Sequence, residues 1–270
     1  MNPLTHPIRS LMLASGFLLA VVSLPGRLFT DAEGRQIEAE IIDIYETSTG
    51  VLTVELKRAD RRHFMVAVDR FSAEDQDFIR GLLEKRKAEE TLLHKDARIS
   101  INLRLNRKTD TNDRYASYYG SRWTDKTKVY APEVVIENEE LTQEFKGNEV
   151  RVVIIARDKG NSSQYLVASA TDVKVDLPPK ERTSVEGDSF ALREYEYESG
   201  LSTYSHEAGY EKDDYVVVIR NRRGEITHTR ASSIKFLDNL ETVLKCRAGQ
   251  IYTDGLAAKL SVSPNSYYMK

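Results

Sequence analysis

The stretch RLFTDAEGRQIEAEIIDI, residues 27–44, decides how the first part of this chain folds. Ile37, Ala39 and Ile41 alternate with Glu38 and Glu40. That period of two gives a strand with one apolar and one polar face. Asp31-Ala32-Glu33-Gly34 before it is a turn, because Gly34 takes a positive φ without steric cost. A second strand pattern covers 51–56 and a third covers 63–68, joined by Arg58-Ala59-Asp60-Arg61 as a hairpin connection. Ser72 then opens a helix, with Asp75 placed to complete a capping box. Phe78, Ile79, Leu82 and Leu83 form its apolar stripe, and the pattern runs on as a charged connector over 84–96. Short strands closing on a helix predict a small SH3-like β-barrel with a C-terminal helix over 27–83.

Residues 11–24, LMLASGFLLAVVSL, precede this unit as an uncharged apolar run. About 14 residues is short for a spanning helix, which needs about 20. The run fits the apolar part of a secretory signal, with an uncleaved N-terminal anchor as the alternative. The reading for 1–24 is therefore export to the periplasm, the cell surface or the medium. Any membrane contact is expected only through an uncleaved leader.

From residue 97 to 270 strand patterns dominate. They cover 98–105, 129–138, 149–157, 164–177, 190–198, 215–221, 225–229 and 242–247, with Gly-containing turns between several of them. Regular short strands predict an antiparallel β-sandwich, so the whole chain is mainly β. Residues 178–182, PPKER, read either as an interdomain linker or as a crossover loop, and one sandwich is favoured. Residues 232–244 hold a short helical turn through Ile234, Phe236, Leu237 and Leu240.

Composition excludes some functions. A formal net charge of -3 gives no basic excess for nucleic acid. Cys246 is the only cysteine, so no internal disulfide or CxxC pair exists. It is expected as a buried small hydrophobe in a strand. The histidines lack metal-ligand spacing. DTND at 110–113 starts like a calcium loop but lacks the turn glycine. No metal, no cofactor and no catalytic motif is indicated, and an enzyme of unknown type, such as a hydrolase, has no motif behind it.

The order of an Arg-aromatic start, a D-x-x-G turn, the IEAE strand, the basic hairpin, the V-x-V strand and the FSAED helix start resembles the SLA1 homology domain 1 (SHD1) family. The resemblance covers roughly residues 27–83. Arg61 stands where that family commonly has glycine. The resemblance implies binding rather than catalysis. Eukaryotic members are endocytic adaptors that grip Asn-Pro-Phe-x-Asp-type peptides. Such a ligand needs a cation for its Asp, for which Lys57, Arg58, Arg61 and Arg62 are candidates. It also needs an apolar slot, for which Tyr45 or Phe64 is the candidate. With an export leader the expectation becomes an adaptor for peptides or surface proteins outside the cytoplasm.

A second expectation concerns DRYASYYGSRW, residues 113–123, read as a long polar loop. Tyr115, Tyr118, Tyr119 and Trp123 there are candidates for stacking on a glycan or contacting a protein partner. A second Tyr-rich loop, 204–215, is expected near it. The alternative is that these aromatics pack the loops onto the sandwich.

Overall fold

The structure, a computed structural model, describes residues 26–116, 120–200, 204–264 and 268–269. The apolar run at 11–24 lies outside the described residues. The chain is mainly β, and it divides into two compact units between Lys87 and Ala88. No helix among the described residues is long and apolar enough to cross a membrane.

The first unit contains β1 (Arg27–Thr30), β2 (Gln36–Glu46), β3 (Leu52–Lys57) and β4 (His63–Ala67), paired antiparallel in that order. Phe29, Ala39, Ile44, Val54 and Leu56 put their side chains into one core with Ile79 of α1 (Ala73–Glu90). The sheet is open rather than a closed barrel: among the described residues β1 and β4 do not pair. A 3-10 turn, Val68–Arg70, instead brings residues 70–72 beside β1. Ala32 N–H donates to Arg70 O at 2.9 Å, and Ser72 N–H to Thr30 O at 2.8 Å.

Asp75 fixes α1 to β1. Its nearly buried carboxylate accepts from Arg27 Nη2 at 2.9 Å and from Thr30 N–H at 2.8 Å. The Ser72 hydroxyl accepts from Asp75 N–H at 3.4 Å, one half of the expected capping box. The carboxylate satisfies β1 instead of closing the other half. The helix ends at Glu90, and Leu93 and Ala97 are buried in the core of the second unit.

The second unit is one antiparallel path. Its strands are β5 (Ile99–Ala116), β6 (Ser121–Asn138), β7 (Phe145–Asp158), β8 (Tyr165–Leu177), β9 (Arg182–Glu186), β10 (Phe190–Glu198), β11 (Ser205–Arg220), β12 (Ile226–Ala231), β13 (Ile251–Tyr252) and β14 (Tyr268–Met269). The path runs β13-β8-β7-β11-β10-β6-β5, with β12 on β11, β14 on β10 and β9 on β6. Residues 178–181 are the tight turn into β9, inside this unit.

Strand β11 belongs to two layers. Residues 205–209 pair with β10, and residues 210–220 pair with β7. The two layers enclose a core that includes Ile136, Val152, Ile154, Phe190, Leu192 and Val217. The second layer is also covered on its other face. There Val153, Ile155, Val167, Val216 and Val218 meet Phe236, Val243, Cys246 and Leu256. This explains the unbroken apolar runs at 152–156 and 215–219, since a strand covered on both sides needs no polar face.

Residues 242–247 are not a strand. Residues 242–246 belong to α2 (Leu240–Lys245) and its C-cap, with Arg247 just beyond, because Leu240, Val243 and Leu244 are spaced for one helical face. Buried Arg151 of β7 holds this helix end. Its Nε donates to Val243 O at 2.7 Å, and its guanidinium also bonds Cys246 O and Asp172.

Gly209 marks the change of layer, with φ at +103°. A Cβ there would stand 2.1 Å from Arg193 O. Overlap with a backbone carbonyl inside a ladder is not relieved by a rotamer change. We expect Gly209→Ala to cost about 3 kcal/mol or more, from strain and overpacking together. Urea unfolding followed by fluorescence of Trp123, the chain's one tryptophan, measures this in the second unit.

Candidate functional site

Two surfaces carry some of the residues expected to bind. The first is the β3–β4 hairpin. Its turn is closed by Arg61 N–H donating to Arg58 O at 2.9 Å and Arg58 N–H donating to Arg62 O at 3.0 Å. Arg61 has φ +65°, the left-handed conformation in which glycine is unstrained. Arg58, Arg61 and Arg62 are all exposed. Arg58 and Arg62 lean on Asp60, at 3.9 and 3.7 Å. The Arg58 guanidinium carbon also lies 5.9 Å from the centre of the Phe64 ring.

The six candidates of this unit do not form one cluster. Phe64 is opposite Leu56 in the register, so it stands on the core side of the sheet. Tyr45 is opposite Thr53, on the other side. The Tyr45 hydroxyl contacts Met65 Sδ at 2.9 Å, and Met65 is 74% exposed. Lys57 alternates with Leu56 and shares the Tyr45 side. The hairpin therefore brings Arg58 to Phe64 and leaves Tyr45 away from them.

The second surface is the part of β5, β6 and β10 that runs past the core. The segment expected as a polar loop is largely strand: Tyr115 pairs with Arg122 and Trp123 with Arg114 in the β5–β6 ladder. Tyr118 and Tyr119 lie outside the described residues. Likewise 205–215 is strand β11 rather than loop. Polar residues on both faces hid these strands, whose pairing comes from the ladder and not from a core.

In this sheet Trp123 stands directly opposite Tyr197, Asp125 opposite Tyr195 and Thr127 opposite Arg193. Opposite residues on neighbouring strands share a face. Trp123, Tyr195 and Tyr197 are half-buried, and the exposed Tyr204 ring lies 6.3 Å from that of Tyr197. Beside the aromatics, Arg193 holds Asp125 with two parallel bonds, the Nε–Oδ1 bond being 2.7 Å. A cleft of about 200 Å³ follows, lined by Asp110, Asn112, Asp125, Thr127 and Arg193. Tyr195, Tyr197, Arg193 and Asp125 were not expected at a site. Their signal was the alternation in REYEY, residues 193–197, which puts two tyrosines and an arginine on one face.

The opposite face of the same strands is tied down by charge. Buried Glu194 pairs with Lys128 and, at 3.3 Å, with Lys159, which also reaches Glu207 at 3.2 Å. Burial opposes the Lys159 ammonium, but Glu194 and Glu207 outweigh it and hold its pKa above the ordinary value. Burial, with Glu194 adding to it, pushes the Tyr130 hydroxyl up. Among the described residues, no group of three or more His, Cys, Asp or Glu side chains is placed to hold a metal ion.

Cys246 is buried, and its thiol donates to Val243 O at 3.2 Å. Burial chiefly pushes its pKa up. The thiolate is the reactive form, so burial and the raised pKa both disfavour reaction of this thiol.

No family model matches this chain, and no curated protein matches it. Two solved structures are weakly similar. A crystal structure of a protein from Akkermansia muciniphila is 15% identical, covering 53% of this chain and 74% of its own, with a TM-score of 0.17. The X-ray structure of a structural-genomics target, SoR45, is 12% identical, covering 48% and 84%, also with a TM-score of 0.17. Likeness at that level carries no argument about fold or function.

Two measurements check these local readings. Arg61→Gly should stabilise the first unit by about 0.5 kcal/mol, the relief of the left-handed backbone exceeding the added freedom of the unfolded chain. Slower hydrogen exchange at β3 and β4 amides reads this out. Cys246 should resist a thiol reagent at neutral pH and react stoichiometrically once the chain is unfolded in urea.

Proposed function

We propose that this chain is an exported, non-enzymatic binding protein whose first unit holds short peptides or segments of surface proteins. The resemblance to the SHD1 family supplies the type of ligand, an aromatic residue followed by an acidic one. The observation that carries the reading is the hairpin tip, where Arg58 lies over the half-buried ring of Phe64. A peptide aromatic laid against Phe64 places a following carboxylate within reach of Arg58, with Arg61 and Arg62 nearby. A charge-assisted bond to an arginine beside an aromatic contact is the combination that dominates small interfaces. The left-handed Arg61 also supports the reading, since it occupies the place of the family's usual glycine. Tyr45 has no part in this site. The leader at 11–24 supports a setting outside the cytoplasm, so the endocytic task of the eukaryotic members is not carried over. The partners are peptides or proteins and not nucleic acid, as the net charge of -3 supports.

Fluorescence anisotropy of a labelled Asn-Pro-Phe-Ser-Asp peptide against the full chain tests this. We expect saturable binding, with Kd raised at least tenfold, or about 1.4 kcal/mol, by Arg58→Glu. Phe64→Ala should weaken binding similarly and Tyr45→Ala should not. Equal binding by wild type and Arg58→Glu overturns the assignment.

A further inference from the structure

We propose that the face of β5, β6 and β10 carrying Trp123, Tyr195 and Tyr197 is a binding platform for neutral pyranose glycans, independent of the peptide site in the first unit. Three observations converge on that ligand. The first is the aromatic row. Trp123 and Tyr197 are cross-strand partners, which puts them about 5 Å apart, and Tyr204 continues the row 6.3 Å further on. The C–H face of a pyranose ring is apolar while its rim carries hydroxyls. An amphipathic aromatic surface next to polar groups matches both parts.

The second observation is the cleft beside the row. Asp125, Arg193, Asn112 and Thr127 line a space of about 200 Å³. Carboxylate, guanidinium and amide groups are planar and present paired donors or acceptors, which suits neighbouring ring hydroxyls. The third is charge. Arg193 and Asp125 neutralise each other through their double contact. Asp110 remains as the further charged group lining the cleft. Inside the cleft that balance disfavours a uronate or phosphate group. It also disfavours nucleic acid, which needs a continuous basic track beside stacking aromatics.

The strands suit the task because they are held from behind. Lys128, Glu194 and Lys159 anchor the reverse face, so the aromatic rows keep their spacing without a ligand. A rigid platform loses little side-chain freedom on binding.

The test is affinity electrophoresis of the full chain through gels holding hydroxyethylcellulose, galactomannan or polygalacturonate. It is paired with the emission of Trp123, which as the single tryptophan needs no mutation to report. We expect retardation by at least one neutral polymer and a blue shift of Trp123 emission on adding it. Trp123→Ala and Asn112→Ala should each reduce retention at least tenfold. Because Trp123→Ala risks the local fold, Asn112→Ala and the wild-type emission shift stand as independent readouts. Absence of retardation by both neutral polymers, retention by polygalacturonate alone, or retention with unchanged Trp123 emission overturns the proposal.

Discussion

The second unit depends on one close approach of backbone to backbone. At Gly209 strand β11 leaves β10 and joins β7, with a Cβ's worth of space already occupied by Arg193 O. Any side chain there would push β10 and β11 apart. Both layers would lose their link, because β11 is the strand they share. Directly opposite Gly209 stands Glu194, held by Lys128 and Lys159. A buried carboxylate with one cation removed is strongly destabilising, so Lys128 and Lys159 are needed to keep Glu194 at the crossing. Glycine permits the crossing, and the ion cluster lies directly beside it.

The layer formed by β7, β8 and the second half of β11 is then a sheet with no wet face. Each fully buried Val or Ile contributes about 1.5–3 kcal/mol relative to exposure, so the C-terminal segment that covers them is part of the fold and not an appendage. Arg151 shows how that cover is joined on. It stands among apolar neighbours, yet its guanidinium satisfies the carbonyls of Val243 and Cys246 at the end of α2. A lysine would not reproduce this, since only the planar fork reaches two carbonyls and Asp172 together.

The sequence was most legible where one face was wet and the other buried. Residues 190–198 form β10 over the expected span, with the apolar positions changing face between Leu192 and Tyr195. The first unit's strands and the Ser72 helix start were legible for the same reason. Legibility failed in three physical situations. Residues 106–116 and 121–128 are polar on both faces, so nothing marked them as strand until the ladder paired them. Residues 242–246, TVLKC, are too short a stretch to separate strand from helix by period. The first sheet stays open because the 3-10 step at Val68–Arg70, which no periodicity reveals, brings residues 70–72 and not β4 beside β1. The candidate sites divide in the same way. Trp123 was visible as an aromatic in a polar stretch, but Tyr197 lies 74 residues away and joins it only through the register of β6 with β10. Tyr45 and Phe64 are alternatives for one slot in the sequence, and strand parity puts them on opposite sides of the sheet.

The aromatic face uses strands carried beyond the core they spring from. Residues beyond a core bury little apolar area, so their order must come from ladder hydrogen bonds and cross-strand pairs. Those interactions fix backbone spacing while leaving side chains free to present their chemistry. At the β3–β4 tip the chain also accepts a left-handed arginine where glycine would be relaxed. At the β5–β6–β10 face it accepts long strands whose exposed sides have no core to hold them. Conformational cost retained at a surface, together with chemistry that the fold does not consume, separates a recognition surface from a solvated edge. The proposals for the cationic tip and the aromatic face rest on that combination; left-handed Lys180 shares the backbone cost, but its ammonium donates to Glu139 O at 2.8 Å.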